Sequence, residues 1–216
     1  MRIFLVLAAV TALSHSFTPF FGFSSDDWLE PAAAICMRDL KNVTFHIERV
    51  FVSDGRFDAN GIRNLATSNN LGFDLQGAFD PCFNNDCAYP KLQLEAVVNR
   101  LATSNVTLSR MWIMISLVKW PKDKLEAQRV LTDIISQATS MGLKVGIESD
   151  GYTWNHTFGD DYAALSNLPL WWPWGHIEDD FEPFGGWQSM FLTTKGKEWD
   201  PECEIFQNIH QTHGKS

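Results

Sequence analysis

The chain has 216 residues and a formal net charge of −9, from 17 Lys and Arg residues against 26 Asp and Glu residues. This length suits a single domain, and an apolar content of 45% is ample for one sizeable core. The acidic balance argues against nucleic acid as a partner and against simple electrostatic attraction to anionic bacterial surfaces. Nine Trp and sixteen Phe residues supply many aromatic rings, which pack in cores and also stack on sugars.

The first 16 residues have the pattern of a secretory signal peptide. Met1 and Arg2 precede an apolar run, Ile3–Leu13, and small residues follow it. The run is too short to span a bilayer, and no later segment is long and apolar enough to do so. The sequence therefore predicts a signal peptide at residues 1–16, a mature domain at residues 17–216, secretion to the extracellular space and no membrane association.

Beyond this segment, short β-rich runs alternate with longer amphipathic stretches. The predicted strands are Phe17–Phe23, Val43–Val52, Leu71–Phe79, Ser109–Val118 and Leu143–Ser149. The predicted helices are Pro31–Lys41, Asp58–Ser68, Lys91–Ala102 and Lys122–Ser140. Asp58 is a predicted N-cap, and Gly142 a predicted helix end. This alternation predicts an α/β fold in one domain, with a right-handed parallel sheet as a barrel or an open sheet.

The pattern changes after Ser149. Leu168–Trp174 is strand-like but interrupted by proline, and Gly185 and Gly186 predict a turn before Trp187. This part of the chain is predicted to form irregular closing strands rather than another regular strand–helix repeat.

Four cysteines lie beyond the predicted signal peptide, an even number that suits an oxidising compartment. Three pairings are possible. The short separation of Cys82 and Cys87 favours a local loop between them, which leaves Cys36 to join Cys203. A metal site is the alternative, but the chain has no Cys-x-x-Cys and no paired His spacing. Disulfides are favoured, and neither a metal nor a cofactor is expected.

Three Asn-x-Thr sequons begin at Asn42, Asn105 and Asn155. In a secreted chain, three matches predict glycosylation of at least one, which would place those turns at the surface.

Six motifs in order resemble the glycoside hydrolase family 25 lysozymes, in particular the nematode branch of that family. They are Phe45–Phe51, Asp54–Asp58, the Pro81–Cys87 cysteine loop, Val145–Ile147, Leu168–Trp171 and Phe184–Trp187. The likeness extends from about Phe21 to about Gln211. It implies an irregular β/α barrel, similar to a TIM barrel, with a site at the C-terminal ends of the strands. It also implies cleavage of peptidoglycan glycan strands by acidic residues at those ends.

The resemblance places the family's acids on residues that cannot replace them. The first-strand aspartate falls on Ser24, the fourth-strand pair on Met114 and Ser116, and the late aspartate on Phe206. Glycosidases ordinarily need two carboxyl groups about 5–9.5 Å apart, or one acid with a stabilising carboxylate when the substrate assists. Loss of all four acids predicts a protein without this chemistry.

The remaining candidates for contact with a glycan are Arg49, Trp112, Glu148 and Trp171. Glu148 stands where the family has a tyrosine, and it ends a predicted strand together with Asp150, where barrel enzymes place chemistry. A solvated strand end is the favoured interpretation of that pair, since charges are mostly exposed. If both partners are buried, Arg49 is predicted to pair with a carboxylate inside the barrel.

The aromatic residues Trp171, Trp172, Trp174 and Trp187 are interpreted as core and rim packing, with a sugar-stacking platform as the alternative. The acidic run Glu178–Glu182 is interpreted as a solvated loop rather than a calcium site, because it lacks alternating ligand spacing.

The first hypothesis is a secreted, monomeric, catalytically impaired lysozyme-like protein that binds bacterial cell-wall glycan in digestion or innate defence. The second is an active muramidase with rearranged acids such as Asp26, Glu148 or Asp150. The third is a structural or signalling protein that no longer binds glycan.

Overall fold

The computed structural model describes residues 20–25, 27–117, 119–173 and 180–213. Its strands are β1 (Phe21–Ser24), β2 (Phe45–Val52), β3 (Arg56–Phe57), β4 (Asp74–Phe79), β5 (Arg110–Met114), β6 (Lys144–Glu148), β7 (Leu170–Trp172), β8 (Leu192–Asp200) and β9 (Ile205–Thr212). Its helices are α1 (Pro31–Asp39), α2 (Ala59–Ser68), α3 (Pro90–Thr103), α4 (Lys124–Ser140) and α5 (Gly151–Phe158).

The sheet closes on itself into a barrel. Its order is β1-β9-β8-β7-β6-β5-β4-β2-β3, and β1 also pairs with β2. Neighbouring strands run parallel from β1 through β2, β4, β5, β6 and β7 to β8. Strand β9 runs antiparallel to both β8 and β1 and so completes the closure, while β3 only forms a hairpin with β2. The predicted α/β barrel in a single domain is confirmed.

Two apolar layers hold this barrel. The larger lies between the strands and the helices, where helices such as α4 contribute Val130, Leu131 and Ile134. The smaller fills the barrel itself with Phe45, Ile47, Ala78, Trp112, Trp171 and Leu192. Gly146 faces this interior because a Cβ there would lie 2.3 Å from the Trp112 ring. Glycine on β6 thus gives the largest interior side chain its space.

Aspartates begin three of the helices. Asp58, Asp123 and Asp150 each accept a hydrogen bond from the backbone N–H three residues later, at the start of α2, α4 and α5. Such caps satisfy N–H groups that have no partner inside the helix. The predicted cap at Asp58 is confirmed. Gly142 follows the end of α4 with φ of +80°, as expected of a helix end.

Both predicted disulfides are confirmed. Cys36 in α1 joins Cys203 in the β8–β9 turn with a Cα–Cα distance of 5.5 Å, and Cys82 joins Cys87 with 6.1 Å. The first bond links residues 167 apart in sequence and the second links residues 5 apart. One bond therefore ties the two ends of the domain together, whereas the other closes a single loop.

Several predicted boundaries were wrong. Strand β5 ends at Met114, so Ser116 lies in the following loop, and helix α5 was not predicted at all. The closing region is more regular than expected, since β8 and β9 form a long antiparallel hairpin. Within the described residues, no helix is long and apolar enough to cross a membrane.

Some predictions fall outside the described residues. They concern the signal peptide at residues 1–16, the start of the first strand at Phe17, Asp26, the strand end at Val118, Trp174, and Glu178 and Asp179 of the acidic run.

Candidate functional site

A cavity of about 530 Å³ opens at the barrel mouth, where the parallel strands end. Residues at or near the strand ends line it, among them Ser24, Arg49, Met114, Glu148 and Trp171. Thr194, Asn208 and His210 of the closing hairpin complete the wall. The carboxyl end of parallel strands is the usual location of chemistry in β/α barrels, so this cavity is the candidate site.

The residues at the family's acid positions do not all meet there. Ser24 and Met114 line the mouth cavity, whereas Ser116 and Phe206 do not. The Ser116 Oγ is buried and has no hydrogen-bond partner among the described residues. Phe206 is 48% exposed on the rim and packs against Trp199 with ring centroids 4.9 Å apart. The arrangement therefore retains two of the four positions at the cavity, and neither carries a carboxyl group.

A chain of hydrogen bonds connects the strands on one side of the mouth. Trp171 Nε1 donates to Thr194 Oγ1 at 2.9 Å, and Thr194 Oγ1 lies 3.2 Å from His210 Nδ1. His210 Nε2 in turn lies 3.0 Å from Ser24 Oγ, which also accepts from Asn208 Nδ2 at 3.3 Å. We call these five residues the mouth network. It joins β7, β8, β9 and β1 through groups that need no net charge.

The mouth network is electrically neutral. Burial, with a smaller effect of His46, lowers the pKa of His210 to about 3, so the imidazole carries no charge near neutral pH. Ser24 and His210 have the spacing of a nucleophile and its base, but a base of such low pKa cannot readily take the serine proton. The third group is Thr194 rather than a carboxylate, so nothing there stabilises an imidazolium. The pair holds the strands and does not form a nucleophilic dyad.

The opposite side of the mouth retains a carboxyl group. Glu148 is the partner of Met114 in the β5–β6 register, so it lies beside a position where the family has an acid. Burial, together with the charges of Asp80 and Asp150, raises the pKa of Glu148 to about 8. No salt bridge to Glu148 occurs among the described residues. The favoured interpretation of Glu148 as a solvated strand end is therefore wrong: it is partly buried and protonated near neutral pH.

The carboxylates near Glu148 already have partners. Both oxygens of Asp150 cap α5, accepting from Thr153 N and Thr153 Oγ1 at 2.8 Å each. Asp80 is buried at the end of β4 and has Lys119 Nζ at 3.5 Å. Asp150 is thus a helix cap. Of the two acids considered for catalysis, Asp150 has a structural role and Glu148 is a protonated carboxylic acid.

Arg49 lies on the mouth but not inside the barrel. It pairs with Asp58 at 2.9 Å, and its side chain is 49% exposed. Arg49 does pair with a carboxylate, but the condition of burial is not met; the buried pair on β2 is His46 with Glu48, whose Nε2 and Oε1 atoms lie 2.7 Å apart. Glu48 Oε1 also accepts from Ser25 N at 3.0 Å, so this pair anchors the end of β1. Arg49 therefore keeps an exposed face that a ligand can reach.

The aromatic candidates separate into one that reaches the cavity and several that do not. Trp171 lines the mouth, and its ring meets His210 edge-on at 5.1 Å. Trp112 is completely buried below it, with Nε1 donating to Gln76 Oε1 at 2.7 Å, so its predicted contact with a glycan is replaced by packing. Trp172 and Trp187 pack in the outer layer. The core interpretation holds for these three, and Trp171 is the aromatic wall of the site.

The three sequons differ in accessibility. Asn42 and Asn105 are exposed in turns with φ of 53° and 55°. Asn155 instead lies within α5, with a buried Oδ1, and its sequon threonine Thr157 is also buried. Glycosylation is therefore compatible with the geometry at the first two and not at the third.

Sequence reasoning missed the groups that complete the site. His210, Thr194, Asn208 and Asp80 received no role, although Asp80 directly follows a predicted strand. Strand-end position was the available signal for Asp80. His210 gives no such signal, because its importance comes from β9 running antiparallel into the barrel.

The geometry can be compared with known proteins. The family described as "Lysozyme-like protein 1" matches residues 20–195. The chain belongs to this lysozyme-like family. It is 31% identical over 163 residues to Lysozyme-like protein 5 of Caenorhabditis elegans, covering 73% of the chain and 76% of that protein. The chain spans only about half of two other relatives from this organism, 54% of Lysozyme-like protein 2 and 48% of Lysozyme-like protein 1.

Solved structures share the fold at low sequence identity. A muramidase from Trichobolus zukalii matches with a TM-score of 0.70 and 11% identity, over 91% of this chain and 94% of its own. The modular autolysin LytC from Streptococcus pneumoniae, solved with a synthetic peptidoglycan ligand, matches with a TM-score of 0.69 and 13% identity, over 90% and 47% of the two chains. A family GH25 lysozyme from Aspergillus fumigatus matches with a TM-score of 0.70 and 11% identity, over 92% of this chain and 95% of its own. The fold is thus that of the family 25 lysozymes, which confirms the resemblance.

Proposed function

We propose that this lysozyme-like protein is secreted and binds peptidoglycan-type glycan at the barrel mouth without hydrolysing it efficiently. Its role would be in digestion or innate defence. The observation that carries the proposal is the mouth network, in which neutral groups hydrogen-bond where Ser24 replaces a family acid. The mouth remains open, with Trp171 and the exposed face of Arg49 available to a sugar.

The chemistry favours binding over cleavage. Met114 cannot exchange a proton, and the hydroxyl of Ser24 is too weak an acid to protonate a leaving group at neutral pH. A wall with an indole, a guanidinium and neutral amide and hydroxyl groups is suited to sugars, which offer apolar ring faces and many hydroxyls.

Sedimentation with insoluble peptidoglycan tests the binding, and a cell-wall clearing assay tests the hydrolysis. We expect the purified protein to co-sediment and to clear no faster than buffer. Arg49→Met should weaken binding by about tenfold, since a hydrogen bond to a charged group contributes about 1.5–3 kcal/mol. Arg56→Met is the matched control, because Arg56 also pairs with an aspartate but does not line the cavity. Equal binding by both variants, or no binding by the wild type, would contradict the proposal.

A second candidate function is weak muramidase activity with Glu148 as general acid. The observation in its favour is a protonated carboxyl group at the mouth beside Met114. Substrate-assisted glycosidases need one such acid, with the second carboxylate serving only to stabilise the intermediate. Activity of this kind should decline as the pH rises past about 8, where Glu148 loses its proton.

The clearing assay decides between the two candidates. Turnover above background that Glu148→Gln abolishes, while the exposed control Glu95→Gln retains it, would establish the second candidate. The absence of turnover in the wild type at any pH would leave binding as the function of the mouth.

A further inference from the structure

The opposite end of the barrel holds a second cavity, of about 350 Å³. It lies where the parallel strands begin, and Arg110, Lys144 and Leu192 are the first residues of β5, β6 and β8. Aromatic side chains, including Phe191, form much of the remaining wall. We call it the basal cavity. It is separated from the mouth by the packed barrel interior around Trp112.

Arg110 is the unusual residue of the basal cavity. It is only 8% exposed, and its guanidinium Cζ lies 4.9 Å from the centre of the Phe191 ring and 5.2 Å from that of Trp112. Its buried Nε has no hydrogen-bond partner among the described residues, and no salt bridge to Arg110 forms within them. Buried charges in proteins are ordinarily paired, because removing an ion from water without compensation is costly.

The nearest carboxylate does not supply this pairing. Asp74, at the start of β4, also lines the basal cavity, but it is exposed and its Oδ2 accepts from Gln76 Nε2 at 2.9 Å. Gln76 is itself held by Trp112 through its Oε1. Burial lowers the pKa of Arg110, and Asp74 opposes that effect only at longer range. Among the described residues, the guanidinium therefore lacks a hydrogen-bonded anion, although the net charge of the chain is −9.

We propose that the basal cavity is a binding site for a small oxyanion, a phosphate or carboxylate group, with Arg110 as its principal ligand and Lys144 at the entrance. A guanidinium presents a planar fork of donors that fits such oxyanions, and the flanking rings fix its orientation. Lys144 is exposed on the cavity rim and adds a second positive charge. This site is independent of the glycan proposed for the mouth.

Isothermal titration calorimetry tests the site directly, with inorganic phosphate and acetate as probes and sodium chloride at matched ionic strength as reference. We expect saturable binding of one oxyanion per chain, and the probe that binds more tightly identifies the class of group. Arg110→Met should weaken binding by about tenfold or more, because it removes charge-assisted hydrogen bonds. Arg129→Met, on the exposed face of α4, is the matched control and should bind as the wild type does.

Circular dichroism establishes whether Arg110→Met folds. If it does not, Lys144→Met provides the test, since an exposed rim residue can be replaced without disturbing the barrel, and a several-fold loss of affinity is expected. The absence of saturable binding to the wild type, or equal affinity in the wild type and all basal-cavity variants, would overturn the proposal.

Discussion

The two sides of the barrel mouth differ in how their polar groups remain uncharged. Around β1, β8 and β9, Ser24, Thr194 and His210 form a neutral network in which each group has a partner. Around β4, β5 and β6, Glu148 is a carboxyl group with no salt bridge in the described part of the chain, and Asp80 and Asp150 lie near enough to raise its pKa. The comparison shows two ways to avoid a buried charge: replacing the acid with uncharged hydrogen-bonding groups, or keeping the acid and its proton.

The two sides also have different disulfides. Removing these disulfides should give the largest expected change in the free energy of unfolding. Cys36–Cys203 joins α1 to the hairpin on the network side, across 167 residues, whereas Cys82–Cys87 spans 5 residues next to Asp80. Loop-closure entropy predicts losses of about 4–5 kcal/mol for the Cys36→Ser/Cys203→Ser variant and about 2 kcal/mol for Cys82→Ser/Cys87→Ser. Urea unfolding of both variants measures this difference, and equal losses would mean that the long bond restrains little in the unfolded chain.

A pH-dependent stability difference should follow from Glu148. Its pKa is about 8 in the folded protein against 4.5 in the unfolded chain, so between these values only the folded state holds the proton. The free energy of unfolding that Glu148 contributes therefore falls as the pH rises through this window. Glu148→Gln removes the effect, so it should stabilise the protein by on the order of 2–3 kcal/mol more at about pH 8.5 than at about pH 5.

Urea unfolding of Glu148→Gln and wild type at the two pH values measures this difference. The exposed control Glu95→Gln should show no comparable change. A Glu148→Gln variant whose stability relative to wild type is the same at both pH values would mean that Glu148 is ionised at the mouth, which would remove the contrast between the two sides.

A smaller loss is expected from breaking the mouth network at its centre. Thr194→Val removes the hydroxyl that accepts from Trp171 Nε1 and lies next to His210 Nδ1. Leaving buried groups without partners should lower the free energy of unfolding by about 1–3 kcal/mol. Thr132→Val on α4 is the control, since the Thr132 hydroxyl bonds only within its exposed helix and should contribute less than about 0.5 kcal/mol. Similar values for the two variants would show that the network is dispensable.

The smallest expected effect is a change in the pKa of His210, and it shows whether the mouth network can accommodate a carboxylate. Ser24→Asp would place a carboxylate next to His210 Nε2, and an opposite charge raises the pKa of a histidine. We expect a rise of about one unit from the present value of about 3, because Asn208 would also share the new carboxylate. The ring signals of His210 in a pH titration by NMR report the change, and Ser24→Asn is the uncharged control. An unchanged His210 would mean that the carboxylate turns away from the network.

The regular part of the fold was predictable because hydrophobic period and turn residues agree there. Helices α2 and α4 have Asp caps and apolar faces, and β2 and β6 are short apolar runs bounded by breakers. Helix α5 was not predictable in the same way, since its sequence is rich in aromatic and β-branched residues and begins with glycine. Its Asp150 cap was the one local signal.

For the candidate site, the sequence predicted which residues lie at the barrel mouth, but not how deeply they are buried or which groups surround them. The family resemblance identified Met114 and a predicted strand end identified Glu148 as residues of the mouth, and both line the cavity there. The protonation of Glu148 depends on burial and on two carboxylates from other elements, which local patterns do not encode. Trp112 and Trp171 look equivalent in sequence, yet Trp112 lies beneath Trp171 in the barrel. Their depth depends on the register between neighbouring strands of the closed sheet.

The closing strand has a consequence for how the chain is made. Strand β1 pairs with β9 from Gly22 with His210 to Ser24 with Asn208, so the seam joins the beginning of the domain to its end. During synthesis, the edge of β1 and the thiol of Cys36 must wait until nearly the whole domain has emerged from the ribosome. For most of its translation, the nascent chain therefore has an open sheet edge at β1 and an unpaired thiol at Cys36.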